Sequence, residues 1–285
     1  MTNTVPSSQR ISYKVDAGLT LIGDAWGNPA DPPVLLLHGG GQTRHAWGGT
    51  ARTLASQNWY AVSLDLRGHG ESEWAPDGNY IIDEFVADIQ SVLRTFSHRP
   101  VLVGASLGGI TSLLTIGESP EPVATAVVLV DITPRTEPEG VDRIRAFMTG
   151  NPNGFASLEE AADAVAGYIP HRPRPKDLTG LAKNLRRGSD GRYRWHWDPQ
   201  LMSPNRMRRD PERLLAASRA LQVPTLLVRG KLSDVISDDT VKEFLDAVPH
   251  AKYADVSDAG HMVAGDQNDS FSRAVIEFLS DVRPS

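Results

Sequence analysis

One segment, from Val101 to Ile116, constrains the fold of this chain more than any other. Its first residues, Val101 to Val103, form a short apolar run that is typical of a buried strand. The apolar pattern stops at Gly104 and resumes with helical spacing from Ile110 onwards. A strand that passes into a helix this abruptly needs a tight turn, so the segment predicts a strand–turn–helix unit.

The turn itself has the pattern G-x-S-x-G, with Ser106 at its centre between Gly104 and Gly108. A residue between such a strand and helix is forced towards positive φ, which is unfavourable for residues other than glycine. The flanking glycines allow the two backbones to pass closely. We therefore expect Ser106 on a strained tip with its hydroxyl exposed, and the N–H of Leu107 at the helix start, where negative charge is favoured.

Apolar strands and amphipathic helices alternate through most of the chain. Helical patterns between successive strands imply right-handed crossovers and therefore a mostly parallel sheet flanked by helices. The first two strands are predicted to form an antiparallel hairpin at a sheet edge. The eight predicted strands cover residues 10–15, 19–26, 34–37, 60–64, 101–103, 126–130, 224–230 and 252–256.

The alternation stops after Thr133, and the intervening segment is predicted to be helical, without a strand. Helices are expected at 142–149, 161–168, 177–187 and 211–220. This segment holds 16 Lys and Arg against 11 Asp and Glu, whereas the chain as a whole has a net charge of −6. We interpret 134–221 as a helical cap between two parts of an α/β core, 1–133 and 222–285. Its arginines predict either a solvated outer face or a funnel for an anionic substrate.

Composition excludes several classes of protein. The net charge of −6 argues against a general nucleic-acid binder, and no run approaches the ~18 apolar residues of a membrane helix. Because cysteine is absent, a disulfide, a thiolate metal site and a cysteine nucleophile are excluded. No metal-binding or nucleotide-binding motif is found, so we expect no metal and no cofactor. Without an apolar leader, the expected protein is a cytoplasmic monomer or homodimer.

The serine needs two further side chains to act as a nucleophile. A base must remove the hydroxyl proton, and a third group must orient that base. His261 is the candidate base, because it lies in a loop just after the last strand. Asp234 is the candidate acid, since it follows the strand at 225–228 and gives the chain order serine, acid, histidine. Asp131, which also follows a strand, is the alternative acid.

Ester hydrolysis also needs N–H donors that stabilise the oxyanion of the tetrahedral intermediate. Leu107 at the start of the helix is one candidate donor. The second donor is expected in the turn that follows the strand at 34–37, where Gly40 is preferred and Gly41 is the alternative. His38, in the same turn, is expected to shape the loop through hydrogen bonds rather than to act in catalysis.

These motifs together resemble the α/β-hydrolase family. The resemblance rests on the His38-Gly39 turn, the segment 65–72 (Asp-Leu-Arg-Gly-His-Gly-Glu-Ser), the Ser106 elbow, Asp234 and Gly260-His261. It is closest to the lidded branch that includes epoxide hydrolases, dehalogenases, cofactor-free haloperoxidases, esterases and lactonases. The resemblance implies an α/β-hydrolase fold with an eight-stranded sheet and an inserted helical cap, and a structural, salt-bridged role for Asp65 and Arg67.

The residue at the elbow separates the activities in this branch. Epoxide hydrolases and dehalogenases have an aspartate there, whereas Ser106 implies acyl transfer through an acyl-enzyme. We expect hydrolysis of a small to medium hydrophobic ester or lactone. A haloperoxidase-like perhydrolase, a C–C bond hydrolase and a ligand-binding protein without turnover are the alternatives.

The candidate substrate pocket is less well defined by the sequence. Trp195 and Trp197, expected on one face of an extended piece, belong to the cap core or to the substrate wall. The other candidate wall residues are Phe147, Val235 and Met262.

Overall fold

The computed structural model describes residues 7–169, 174, 176–203, 209–257 and 269–283. The strands within these ranges are β1 (Gln9–Lys14), β2 (Thr20–Trp26), β3 (Pro33–Leu37), β4 (Tyr60–Leu64), β5 (Val101–Ala105), β6 (Ala126–Val130), β7 (Leu185–Arg187), β8 (Tyr193–Trp195), β9 (Thr225–Gly230) and β10 (Lys252–Val256). The α-helices are α1 (Gly48–Ser56), α2 (Ile82–Leu93), α3 (Leu107–Gly117), α4 (Pro138–Thr149), α5 (Leu158–Tyr168), α6 (Thr179–Ala182), α7 (Pro211–Arg219), α8 (Asp238–Ala247) and α9 (Asp269–Asp281).

Eight strands form one sheet in the order β1-β2-β4-β3-β5-β6-β9-β10. The pairs β1–β2 and β2–β4 are antiparallel, and the other neighbouring pairs are parallel. The predicted α/β-hydrolase fold with a mostly parallel eight-stranded sheet is therefore confirmed. The central strands are apolar throughout because helices cover both faces of the sheet, as parallel sheets require.

Alternate residues of each central strand pack into two separate hydrophobic clusters. Leu35 and Leu37 of β3 belong to a cluster that contains Phe85 of α2 and residues of α3, α7 and α8. Val34 and Leu36 of β3 belong to the opposite cluster, with residues of α1 and α9. The period of two along a strand accounts for this division. Because β4, β3, β5, β6, β9 and β10 are parallel, their carboxyl ends lie along one edge of the sheet. Across the described ranges, we find no helix with both the length and the apolar character needed to cross a lipid bilayer.

The segment between β6 and β9 differs from its prediction, because it contains a small two-stranded sheet. β7 and β8 pair antiparallel, with Leu185 opposite Trp195. The predicted helix at 177–187 is wrong, since only α6 is helical there. The turn between the two strands explains the difference: Gly191 has a φ of 79° and its N–H donates to the Gly188 carbonyl at 3.0 Å. Glycine makes this reversal possible, and a three-residue strand is too short to show a periodic pattern.

Helix α7 packs closely against α3. A Cβ at Gly117 of α3 would lie 2.3 Å from the Ala217 carbonyl oxygen of α7, so the two backbones are in close contact. We therefore propose that the cap, predicted to span 134–221, ends before residue 211.

The turn after β4 is fixed by two buried ion pairs. Asp65 pairs with Arg44 at 2.5 Å, and Arg67 pairs with Asp88 of α2 at 2.6 Å. Asp65 and Arg67 are thus structural, and each pairs with a residue outside the turn. Because both pairs are buried, loss of one partner would leave an uncompensated charge, which is costly. The turn, including His69, is held firmly beside the edge of the sheet.

Candidate active site

Ser106 lies between the last residue of β5 and the first residue of α3, in the tight turn that the sequence predicts. Its φ is 45° and its ψ is −108°, values that side-chain-bearing residues rarely adopt. The flanking glycines have no room for a side chain: a Cβ at Gly104 would lie 2.3 Å from the Gly108 carbonyl, and one at Gly108 would lie 2.4 Å from the Leu37 carbonyl. Ser106 is thus held in a strained conformation at the edge of the sheet.

Asp131 occupies the equivalent position on the neighbouring strand. Ala105 of β5 is in register with Val130 of β6, so Ser106 and Asp131 each follow the end of adjacent parallel strands. Asp131 also has a positive φ, 51°. Its N–H donates to the Val228 carbonyl of β9 at 2.7 Å, which fixes this tip to the next strand. The two residues therefore lie side by side at the carboxyl edge.

The carboxylate of Asp131 is buried and accepts hydrogen bonds from two donors. Gly230 N–H donates to Oδ1 at 3.2 Å, and the Ser233 hydroxyl donates to Oδ2 at 2.5 Å. The residue is only 1% exposed. These hydrogen bonds fix the orientation of the carboxylate. Asp131 is therefore a buried, oriented carboxylate next to the serine tip.

Asp234 has a different environment. Its side chain is about one-third exposed (32%) and forms an ion pair with Arg143 of α4. The same stretch of backbone meets the start of α4, since Glu137 N–H donates to the Val235 carbonyl at 2.8 Å. A Cβ at Gly140 would lie 2.2 Å from the Asp234 carbonyl oxygen. Asp234 thus connects the loop after β9 with helix α4.

His261 and Met262 lie outside the described residues. The strand that precedes them ends at Val256, which is in register with Gly230 at the end of β9. The loop that carries His261 in the sequence therefore begins at the same carboxyl edge as Ser106 and Asp131.

The turn after β3 presents backbone N–H groups beside the serine. Gly39 N–H donates to the Gln42 side chain at 2.9 Å, and Gly41 N–H donates to His69 Nε2 at 3.1 Å. A ligand could therefore bind the N–H group of Gly39 or Gly41 only if the existing hydrogen bond of that group were broken. Within the described part of the chain, the N–H groups of Gly40 and Leu107 have no hydrogen-bond acceptor. Both residues line the same cavity as Ser106.

Two buried histidines shape this turn. His38 accepts a hydrogen bond from Leu66 N–H at 3.0 Å through Nε2, while its Nδ1–H donates to the Gly39 carbonyl at 2.8 Å. His69 donates through Nδ1 to the Arg67 carbonyl at 2.9 Å and accepts from Gly41 through Nε2. Burial lowers the pKa of His38 to about 4 and that of His69 to about 3, so both rings are neutral. The hydrogen bond between Gly41 and His69 was not predicted from the sequence, although His69 lies in the segment 65–72 that carries the family resemblance.

A cavity of about 250 Å³ lies beside Ser106, and residues of the turn after β3 and of helices α3, α4 and α7 line it. Phe147, Val235 and Trp197 line it, as do aliphatic side chains from α3, α4 and α7. Trp195 stacks on Trp197, with ring centroids 5.1 Å apart and planes at 10°, which places the two rings on one face as predicted. Trp195 also contacts Phe147 and Phe155, and it is absent from the cavity wall. Trp195 thus packs among aromatic side chains behind the wall, and Trp197 lines the cavity.

Cationic side chains interrupt this apolar wall. Arg145, Arg209 and Arg213 all line the cavity. Arg213 forms ion pairs with Glu118 and Asp83. In the described ranges, no carboxylate lies within ion-pair distance of Arg145 or Arg209. The same ranges contain no group of three or more His, Cys, Asp or Glu side chains that could hold a metal ion.

The chain resembles known proteins over most of its length. Residues 34–274 match the model of the alpha/beta hydrolase family. The chain is 32% identical to a 3-hydroxybutyrate-oligomer hydrolase of Cupriavidus necator, over 83% of this chain and 85% of the relative. It is 31% identical to an esterase of Mycobacterium tuberculosis, over 90% of this chain and 84% of the relative.

Solved structures agree with this assignment. A crystal structure of an alpha/beta hydrolase from Novosphingobium aromaticivorans superposes with a TM-score of 0.82 at 26% identity, covering 96% of this chain and 98% of that chain. The family match covers more than half of the sequence, and it agrees with the sheet order and the serine elbow. The chain therefore belongs to the alpha/beta hydrolase family and is a hydrolase of the esterase type.

Proposed function

We propose that this protein is a serine hydrolase that cleaves a carboxylic ester through an acyl-enzyme. The observation that carries the proposal is the strained Ser106 tip, which opens into an apolar cavity beside two N–H groups without acceptors in the described ranges. Backbone strain of this kind persists where surrounding structure enforces it, often at active sites. The names of the two relatives, a hydrolase of 3-hydroxybutyrate oligomers and an esterase, support ester hydrolysis.

His261 is the proposed base and Asp131 the proposed acid. His261 keeps this role on its position in the sequence, in the loop after β10. For the acid, the register of β5 and β6 favours Asp131 over Asp234, which the sequence analysis preferred. Asp131 is buried and directly follows its strand, whereas Asp234 lies four residues beyond β9 and is paired with Arg143. A buried carboxylate that orients the imidazole and stabilises its cation is what the third member of a triad must supply.

The proposed reaction has two steps. His261 removes the hydroxyl proton of Ser106 as its oxygen attacks the ester carbonyl, and the protonated imidazole then returns that proton to the departing alcohol. Water, activated by the same imidazole, attacks the acyl-enzyme and releases the acid. Negative charge develops on the former carbonyl oxygen in both steps. The N–H groups of Leu107 and Gly40 are the proposed donors to that oxygen, since Gly41 N–H is occupied by His69.

The apolar wall fits a small to medium hydrophobic substrate. A lactone would follow the same course, because ring opening gives the same kind of acyl-enzyme. No contact in the described residues favours peroxide in place of water, or cleavage of a C–C bond in place of an ester bond. The relatives are hydrolases, and they do not support a role in ligand binding alone. The cytoplasmic location and the monomeric or homodimeric state stay predictions.

Substitution of Ser106 or His261 by alanine tests the proposal. Each variant should lower kcat for 4-nitrophenyl hexanoate by at least about 10⁴-fold, because triad members act as a unit. Labelling by a fluorophosphonate should be lost in Ser106→Ala. Ser56→Ala at the exposed end of α1 and His250→Ala at an exposed surface position are the matched controls, and both should retain wild-type activity.

The decisive measurement combines activity with labelling. If the Ser106→Ala variant hydrolyses esters as fast as the wild-type enzyme does, the proposal is wrong. Mapping of the fluorophosphonate to a residue other than Ser106 would do the same.

A further inference from the structure

The position of Arg209 is unusual for a cation in an apolar cavity. Arg209 lies two residues before the start of α7 and lines the cavity beside Ser106. Its guanidinium donates through Nη1 to the Thr136 hydroxyl at 3.1 Å. A guanidinium carries five N–H donors, and this is its one side-chain hydrogen bond to a described residue. Among the described residues, most of the donor capacity of Arg209 is therefore left for a ligand in the cavity.

Among the described residues that line the cavity, the charged side chains are three arginines and Asp210. Arg213 is paired with Glu118 and Asp83, and the carboxylate of Asp210 caps α7 by accepting from two N–H groups. Arg145 adds a second cation with no carboxylate within ion-pair distance in the described ranges. Asp131 acts on Arg209 through its negative charge.

Arg209 stays cationic in spite of its surroundings. Burial lowers its pKa to about 10, and the negative charge of Asp131 opposes this shift. The side chain is therefore charged at neutral pH, in an environment where a cation without a counter-ion is costly. A bound anion would remove that cost, and a planar carboxylate matches the guanidinium fork in a bidentate contact.

We propose that the substrate of this esterase carries a free carboxylate, in its acyl or its alcohol part, and that Arg209 binds it. The inference rests on the proposed function, since it names the substrate class of the same site. The apolar walls would hold the chain between the scissile ester and the carboxylate. The arginine-rich cap thus contributes to substrate recognition as well as to the solvated surface.

Two matched substrate pairs test this proposal. The acyl-side pair is the mono-4-nitrophenyl ester of adipic acid and 4-nitrophenyl hexanoate, which have the same chain length. The alcohol-side pair is 3-carboxyphenyl hexanoate and 3-carbamoylphenyl hexanoate. The wild-type enzyme should prefer the anionic member of at least one pair by kcat/KM. Arg209→Met should lower kcat/KM for that member by about 10- to 100-fold and leave its neutral partner nearly unchanged.

Two further variants separate recognition from folding. The Arg209→Lys variant keeps the positive charge but lacks the bidentate guanidinium geometry, so it should retain part of the preference for the anionic substrate. Arg219→Met, at the exposed far end of α7, should behave as the wild type. Equal losses for both members of a pair would mean that Arg209 acts structurally, through Thr136 or Asp131, and would overturn the inference. No anionic preference in either pair of the wild-type enzyme would also overturn it.

The outcome also distinguishes this inference from the proposed function. If the neutral esters are hydrolysed in a Ser106-dependent manner without charge preference, only the role of Arg209 fails. If no ester is hydrolysed, or if turnover survives Ser106→Ala, the proposed function fails and the inference with it.

Discussion

Two residues at the edge of the sheet, Ser106 and Asp131, both have a positive φ, which is uncommon for residues other than glycine. Each positive φ costs on the order of 1–3 kcal/mol and persists only because packing enforces it. A sheet does not need this strain for stability, since most strand ends adopt ordinary conformations. In the proposed function the two tips are paired positions, with the Ser106 side chain at the cavity and the Asp131 side chain buried.

The acid assignment can be tested by removal of one charge at a time. Asp131→Asn should lower kcat for a neutral ester by about 10³- to 10⁴-fold, because the imidazole loses the anion that orients it and stabilises its cation. Asp234→Asn should lower the free energy of unfolding by no more than about 1 kcal/mol, since it removes a partly exposed ion pair, and should largely retain kcat. Steady-state kinetics and urea unfolding of both variants provide the measurements. The reverse order of effects on kcat would return the role to Asp234.

The strand–turn–helix unit of β5 and α3 has no space for side chains at its glycines. Gly108 is the clearest case, since a Cβ there would meet the backbone of Leu37 and not a movable side chain. A collision with backbone can be relieved only if the helix moves away from the sheet. The glycine pattern around the serine is therefore a packing requirement of the element as well as a signature in the sequence.

Gly108→Ala should accordingly lower the free energy of unfolding by about 1–3 kcal/mol or more, as expected for overpacking. Gly167→Ala in α5 is a matched control, because a Cβ there meets nothing within 4 Å. The control should raise stability by about 0.5–1 kcal/mol, since alanine is the better helix former. Urea midpoints of the two variants and the wild type check both expectations. An unchanged midpoint for Gly108→Ala would contradict the packing argument.

The elements differ in how far the sequence could predict them. The buried strands and the elbow were predictable because a continuous apolar run or a glycine pattern has few structural solutions. The β7–β8 hairpin was not, because each strand has only three residues. Sequence analysis alone favoured Asp234 because both aspartates follow strands, whereas our proposal of Asp131 rests on the register of β5 with β6, on the burial of Asp131 and on the ion pair of Asp234 with Arg143. Arg209 was one of many cap arginines until the fold placed it at the cavity.

At the scale of the whole molecule, two buried neutral histidines link the edge of the sheet to the stability of the fold. His38 and His69 have pKa values of about 4 and about 3 when folded, against about 6.5 when exposed in the unfolded chain. Between pH 6.5 and 4 the unfolded state therefore binds more protons than the folded state. Their contribution to stability is fully present above pH 6.5 and is lost progressively as the pH falls towards 4.

We expect the urea midpoint to fall between pH 7.5 and pH 5.0, with a smaller fall in the His69→Gln variant. Glutamine keeps an acceptor for the Gly41 N–H and cannot bind a proton in this range. His250→Gln, at an exposed position, should show the same fall as the wild type. A His69→Gln protein with an undiminished pH dependence would show that other groups account for the acid sensitivity.

The shared register of the two tips limits how this sequence can change in length. Successive residues of a strand point to opposite faces, so one residue inserted into or deleted from β6 would turn Asp131 away from its neighbour. Loops and the cap are free of this constraint, because their length does not determine which way either tip points. Related chains that differ in length should therefore add or lose residues between β6 and β9, while the spacing within β5 and β6 stays fixed.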